Sequence, residues 1–144
     1  MKKLAKRSLL PLLPTSLLGI ALWFSIPISV RAQNQQVQVI EITAKKYEYS
    51  VSPVHVKLGA KVQLKIIASD HDHGFKIGVV PDGSAPGGTP GLVFTSRQDC
   101  WLLRKGETTN IEFIAQTPGT YTFECCHRCG LGHKGMNGEI VVDR

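Results

Sequence analysis

Residues 119–143 read "GTYTFECCHRCGLGHKGMNGEIVVD". "GTYTFECC" (Gly119–Cys126) sets Tyr121 and Phe123 against Thr120, Thr122 and Glu124, the alternation of a half-buried strand. "GEIVVD" (Gly138–Asp143) is a second strand. Between them lies a glycine-studded loop holding Cys125, Cys126, His127, Cys129, His133 and Met136. Gly130, Gly132 and Gly135 let that backbone fold tightly around something small. Loops carried on a rigid β-scaffold are where ligand constellations sit.

The rest of the chain repeats the strand signal. "VQVIEIT" (Val37–Thr43) separates Val37, Val39 and Glu41 from Gln38, Ile40 and Ile42. Tyr47 and Tyr49 alternate with charged neighbours, and "KVQLKIIAS" (Lys61–Ser69) puts Val62, Leu64 and Ile66 on one face. "FKIGVV" (Phe75–Val80) and "TTNIEFIA" (Thr108–Ala115) are further strands. Turn signals stand between them at Ser52–Pro53, Leu58–Ala60 and Thr117–Gly119, and "PDGSAPGGTPG" (Pro81–Gly91) is too rich in Gly and Pro for regular structure. There is no amphipathic helix and no internal repeat. Six to eight short strands predict an antiparallel β-sandwich.

The start of the chain is of another kind. Lys2, Lys3, Lys6 and Arg7 precede an apolar run from Leu9 to Val30, and "VRAQ" (Val30–Gln33) offers a small-residue cleavage site after Ala32. Residues 1–32 are expected to be a signal peptide, residues 33–37 a polar linker, and residues 38–144 the folded domain. An uncleaved anchor is the alternative, since the run is long enough to span a bilayer; Pro11, Pro14 and Pro27 favour cleavage. The five basic residues of this segment carry most of the formal +6 charge. The remainder is nearly neutral, which excludes a nucleic-acid reading. The domain is therefore expected outside the cytoplasm, in a periplasm, touching membrane only through this segment.

In that oxidising compartment a cysteine cluster persists best when paired or metal-bound. Four readings of the loop compete. Disulfides alone explain neither histidine nor methionine, although a Cys100–Cys126 bond stays open beside a metal site. "CHRC" (Cys126–Cys129) has the spacing of a thiol–disulfide centre but lacks the following helix. Structural zinc accepts Cys and His and leaves the methionine idle. Copper uses thiolate, imidazole and thioether together. "SDHDHGF" (Ser69–Phe75) adds His71 and His73 at the start of a strand.

Cys125, Cys129, His133 and Met136 stand in C-x3-C-x3-H-x2-M spacing, with His73 upstream, followed by a small residue and an aromatic. This resembles the CuA domain of cytochrome c oxidase subunit II and, more closely, small exported cupredoxins ending like "CGLGHKGMNGEIVV" (Cys129–Val142). The resemblance covers about residues 38–144. It implies a Greek-key cupredoxin sandwich and two copper ions bridged by Cys125 and Cys129. His73 and His133 would be terminal ligands, Met136 a weak one, and the carbonyl of His127 the last. The oxidase usually has Glu at the His127 position, and Cys126 also departs from its pattern. It further implies an electron carrier rather than an enzyme, working with a c-type cytochrome or terminal oxidase, though without that subunit's paired membrane hairpin. A copper carrier supplying an oxidase, and a mononuclear blue-copper carrier using His73, Cys129, His133 and Met136, are the alternatives.

Other residues carry plainer expectations. His55, in "VHVK", reads as a surface or core-edge residue, and His71 as solvated. Trp101 either packs near the site or fills core, and Gly130 would let a backbone N–H approach the Cys129 sulfur.

Overall fold

A computed structural model of the protein describes residues 36–144. The expected signal segment and residues 33–35 of the expected linker lie outside the described residues. Ten strands follow in chain order: β1 (Val37–Lys45), β2 (Glu48–Tyr49), β3 (Val54–Lys57), β4 (Lys61–Ala68), β5 (His73–Ile77), β6 (Leu92–Phe94), β7 (Trp101–Leu103), β8 (Thr108–Ala115), β9 (Gly119–Glu124) and β10 (Asn137–Asp143). One 3₁₀ turn, His133–Gly135, precedes β10. Among the described residues no helix is long and apolar enough to cross a membrane.

The strands form two five-stranded sheets, β2-β1-β4-β8-β6 and β3-β10-β9-β5-β7. Their inner faces follow the period-two pattern of the sequence. β4 buries Val62, Leu64, Ile66 and Ala68, and β8 buries Ile111, Phe113 and Ala115. The other sheet answers with Val54, Val56, Phe75, Ile77, Tyr121, Phe123, Ile140 and Val142. In β1 the expected division holds: Ile42 is buried while Val37, Val39 and Glu41 face out.

The sheets are mixed rather than antiparallel. β1 runs parallel to β4, from Val37 opposite Lys61 to Ala44 opposite Ala68, and β3 runs parallel to β10. The cause is the crossover through β3. The chain leaves the first sheet after β1 and β2, pairs at the edge of the second sheet, and returns in its original direction as β4. Two strands unseen in the sequence, β6 and β7, have only three residues each, too few to show alternation. β1 begins at Val37, the last residue assigned to the linker.

The strand expected at Phe75–Val80 starts earlier and stops sooner, at His73 and Ile77. Val79 turns away from β9, and its carbonyl accepts the N–H groups of Gly91 and Leu92 instead. The early start makes His73 the first residue of β5, at the start of a strand as the sequence suggests. Trp101 fills core: it is buried, with its ring 5.4 Å from Phe94 and 6.2 Å from Phe75. His55 lies on the surface and pairs with Asp143 at 3.0 Å.

Candidate metal centre

Sheet register brings the donors together. β9 and β10 pair antiparallel, with Glu124 opposite Asn137, so the end of one and the start of the other close the neck of the loop 125–136. The Cys125 N–H donates to the Met136 carbonyl at 2.9 Å across that neck. β5 runs antiparallel on the other side of β9, with Lys76 opposite Glu124. The beginning of β5, and hence His73, therefore lies beside the loop.

Cys125 and Cys129 are buried free thiols whose sulfurs are 3.5 Å apart. The Cys129 Sγ is 3.7 Å from His133 Nδ1. The Cys125 Sγ is 3.2 Å from the His127 carbonyl oxygen and accepts the Gly74 N–H at 3.4 Å. Met136 is buried at the far end of the loop, while the His127 side chain faces solvent. Two triads have donor atoms within 4.8 Å of one another: Cys125, Cys129 and His133, and His71, His73 and Cys129. They share Cys129. Among the described residues no triad contains both His73 and His133.

His73 is fully buried. Its Nε2 donates to Asp70 Oδ1 at 2.7 Å, which leaves Nδ1 as the lone-pair nitrogen. That Nδ1 is buried without a hydrogen-bond partner. Buried polar atoms are paired in the great majority of cases, so an orphaned imidazole nitrogen on a histidine grouped with the Cys129 thiol is an observation in favour of a cation there. A carboxylate holding the outer nitrogen of a ligating histidine is the usual way its tautomer is set. Together with the thiol, imidazole and thioether donors, this fits copper.

The surroundings set the electrostatics. Burial pushes the Cys129 thiol up to about 11, and the hydrogen bond and charge of Cys125 add to it. A bound cation must therefore supply the drive to deprotonate it. Burial works to raise the Asp70 carboxyl, but the His73 hydrogen bond and the N–H groups of Lys46 and His71 outweigh it, holding it below the usual carboxylate range. Burial, then the charges of Cys125, Cys129 and Glu124, raise the Tyr49 phenol above its ordinary value. Tyr49 thus remains a neutral donor, bonded to the Gly74 carbonyl at 2.6 Å.

Several supports surround the donors, and one of them, the Cys100–Cys126 bond, is the pairing the sequence left open. Cys100 and Cys126 are joined in a disulfide, with Cα atoms 5.9 Å apart. It ties the segment before β7 to the ligand loop and leaves Cys125 and Cys129 as the free pair. Tyr47 lies under the loop: a Cβ on Gly130 would sit 2.7 Å from the Tyr47 hydroxyl. Gly130 thus serves close packing at a positive φ of 128°, and the N–H that reaches a ligand sulfur comes from Gly74. His71 is not simply solvated, since its ring nitrogens lie 2.7 Å from the Cys129 carbonyl and 2.9 Å from Asp70 Oδ2. For Asp70 a signal existed, namely its place three residues before His73.

A family model described as "Cupredoxin-like domain" matches residues 16–142. Cytochrome c oxidase subunit 2 of Thermus thermophilus is 30% identical over 103 residues, which cover 72% of this chain and 64% of that protein. The chain thus spans under two thirds of that relative's length. In structure it is similar to auracyanin A, described as a "blue" copper protein from Chloroflexus aurantiacus, with a TM-score of 0.54 and 19% identity over 75% of this chain and all of that one. It is equally similar to the periplasmic domain of subunit II of cytochrome oxidase of Bradyrhizobium japonicum, with a TM-score of 0.54 and 16% identity over 74% of this chain and 84% of that one. At these identities the two likenesses show the fold alone. That fold is shared by one protein described as blue-copper and by oxidase subunit II.

Proposed function

Since the chain belongs to the cupredoxin-like family, we propose that it is an extracytoplasmic copper protein that passes single electrons through a dinuclear centre of the CuA kind. The observation that carries this reading is the pair of free thiols 3.5 Å apart, with His73 and His133 in separate triads that share Cys129. A mononuclear blue site would draw both histidines to one ion; their separation supports two.

In this reading Cys125, Cys129, His73 and His133 would hold the two ions through thiolate and imidazole. The His127 carbonyl and the Met136 thioether complete the donor set. Bound copper supplies a one-electron couple. The chain's own residues do the rest. Asp70 holds His73 in the tautomer that presents Nδ1, and the Gly74 N–H donates to the Cys125 sulfur and so tunes its electron density. The disulfide and the Tyr47 contact fix the loop, so its donors move little between oxidation states. The two sheets exclude water from the thiols.

An extracytoplasmic setting is supported by the disulfide. The redox partner is a c-type cytochrome or a terminal oxidase, a reading supported by the oxidase subunit 2 relative.

The test is copper stoichiometry together with electron paramagnetic resonance on the loaded, oxidised protein. Two coppers per chain, with hyperfine structure from one electron shared by two equivalent nuclei, are expected. One copper with a blue-site spectrum, or a silent sample of tightly held copper(I), overturns the dinuclear reading.

A further inference from the structure

The triad His71, His73 and Cys129 contains a residue to which the proposed centre gives no role. His71 is partly buried, its ring centroid is 4.3 Å from that of His73, and its donor atom lies within 4.8 Å of those of His73 and Cys129. Both groups facing its ring nitrogens are acceptors: the Asp70 carboxylate at 2.9 Å from Nδ1 and the Cys129 carbonyl at 2.7 Å from Nε2. A neutral imidazole has a single N–H. Whichever ring nitrogen carries it, the other turns a lone pair toward an acceptor, an unfavourable contact that a cation bound to that nitrogen relieves once the acceptor moves aside. The neighbouring His73 Nδ1 is a second buried lone pair without a partner, and Cys129 supplies a thiol.

We propose that His71, His73 and Cys129 form a second coordination mode of this site, which takes one copper(I) ion without Cys125 or His133. Two imidazoles and one thiolate make a trigonal donor set, and the soft thiolate selects copper(I). Because Cys129 belongs to both triads, the modes are successive: the first ion enters on the His71 side, and Cys125 and His133 complete the centre around the second. The inference rests on the copper reading above, but not on the final number of ions.

The experiment uses the full chain carrying Cys125→Ser and His133→Ala, titrated anaerobically with copper(I) against a competing chromogenic chelator. One copper(I) per chain is expected. Adding His71→Ala weakens binding by roughly tenfold to a hundredfold or more. X-ray absorption of the loaded double variant is expected to show two imidazole nitrogens and one sulfur on copper. This also separates a ligand from a residue that merely positions the Cys129 carbonyl, and it decides the matter should the triple variant fail to fold. Unchanged affinity on loss of His71, a single imidazole on copper, or no copper in the double variant overturns the proposal. If the wild-type chain holds two coppers while the double variant holds none, only this inference fails; if the wild-type chain holds none, the copper reading fails with it.

Discussion

The buried ring of His73 is held by Asp70 across 2.7 Å, and the nitrogen on its far side, Nδ1, has no partner within the protein. One hydrogen bond thus decides both the orientation of the ring and which nitrogen is offered to the thiols. Asp70→Asn keeps the shape but removes the charge. Copper affinity is expected to fall by roughly tenfold to a hundredfold, the usual effect of losing such an outer partner, as read by chelator competition. The same carboxyl links stability to acid. Its value in the folded protein lies below the ordinary one, so its contribution is present above about pH 4 and is lost as pH falls through the lowered folded value. Melting temperatures of wild type and Asp70→Asn should therefore converge in strong acid and separate at neutral pH.

Gly74 is a position where close approach forbids a side chain. A Cβ there would lie 2.5 Å from the His127 backbone nitrogen and 2.7 Å from the Cys126 sulfur. Gly74→Ala should destabilise the fold by about 1–3 kcal/mol, the typical cost of overpacking. Because the displaced atoms belong to the ligand loop, copper retention should fall as well. Chemical denaturation and metal analysis read the two effects separately.

The Cys100–Cys126 bond spans 26 residues of sequence. A loop of that length stabilises by roughly 3–4 kcal/mol in the chain-entropy account. Replacing both cysteines by serine should lower the denaturation midpoint accordingly. The unfolded wild-type chain, by contrast, should show two titratable thiols, Cys125 and Cys129. Four would show that the bond does not form in the natural protein.

Copper uptake should release protons. Burial and Cys125 keep the Cys129 thiol up at about 11, so it is protonated at neutral pH and must deprotonate to ligate. For each thiol proton released, apparent affinity should fall about tenfold per pH unit of acidification. Competition titrations between pH 6 and 8 measure the slope, and a flat profile would exclude thiolate ligation.

Met136 is buried and lies at the end of the loop, where its carbonyl closes the neck. Met136→Leu conserves volume and should cost less than about 1.5 kcal/mol. If the thioether is a weak ligand, copper count is retained while the reduction potential shifts. Voltammetry on the two proteins reads that shift, and an unchanged potential would assign Met136 to packing alone.

Much of this protein is local in sequence. The alternation in β4, β8 and β9 announces strands because side chains in a strand point to opposite faces every residue, and the sandwich class follows from the number of such runs. Cys125, Cys129, His133 and Met136 were legible as a donor set because one loop carries all four. What the tertiary structure decided is non-local. Register between β5 and β9 brought His73 to the loop from fifty residues away, and with it Asp70, which orients the ring, and His71, which reads as a solvated residue when seen alone. The parallel pairing of β1 with β4 follows from where β3 docks, not from any property of the strands themselves. Tyr47 met Gly130, and Cys126 closed the bond to Cys100 that the sequence had left open, because the paired sheets bring distant loops together, a contact that no local pattern along the chain specifies.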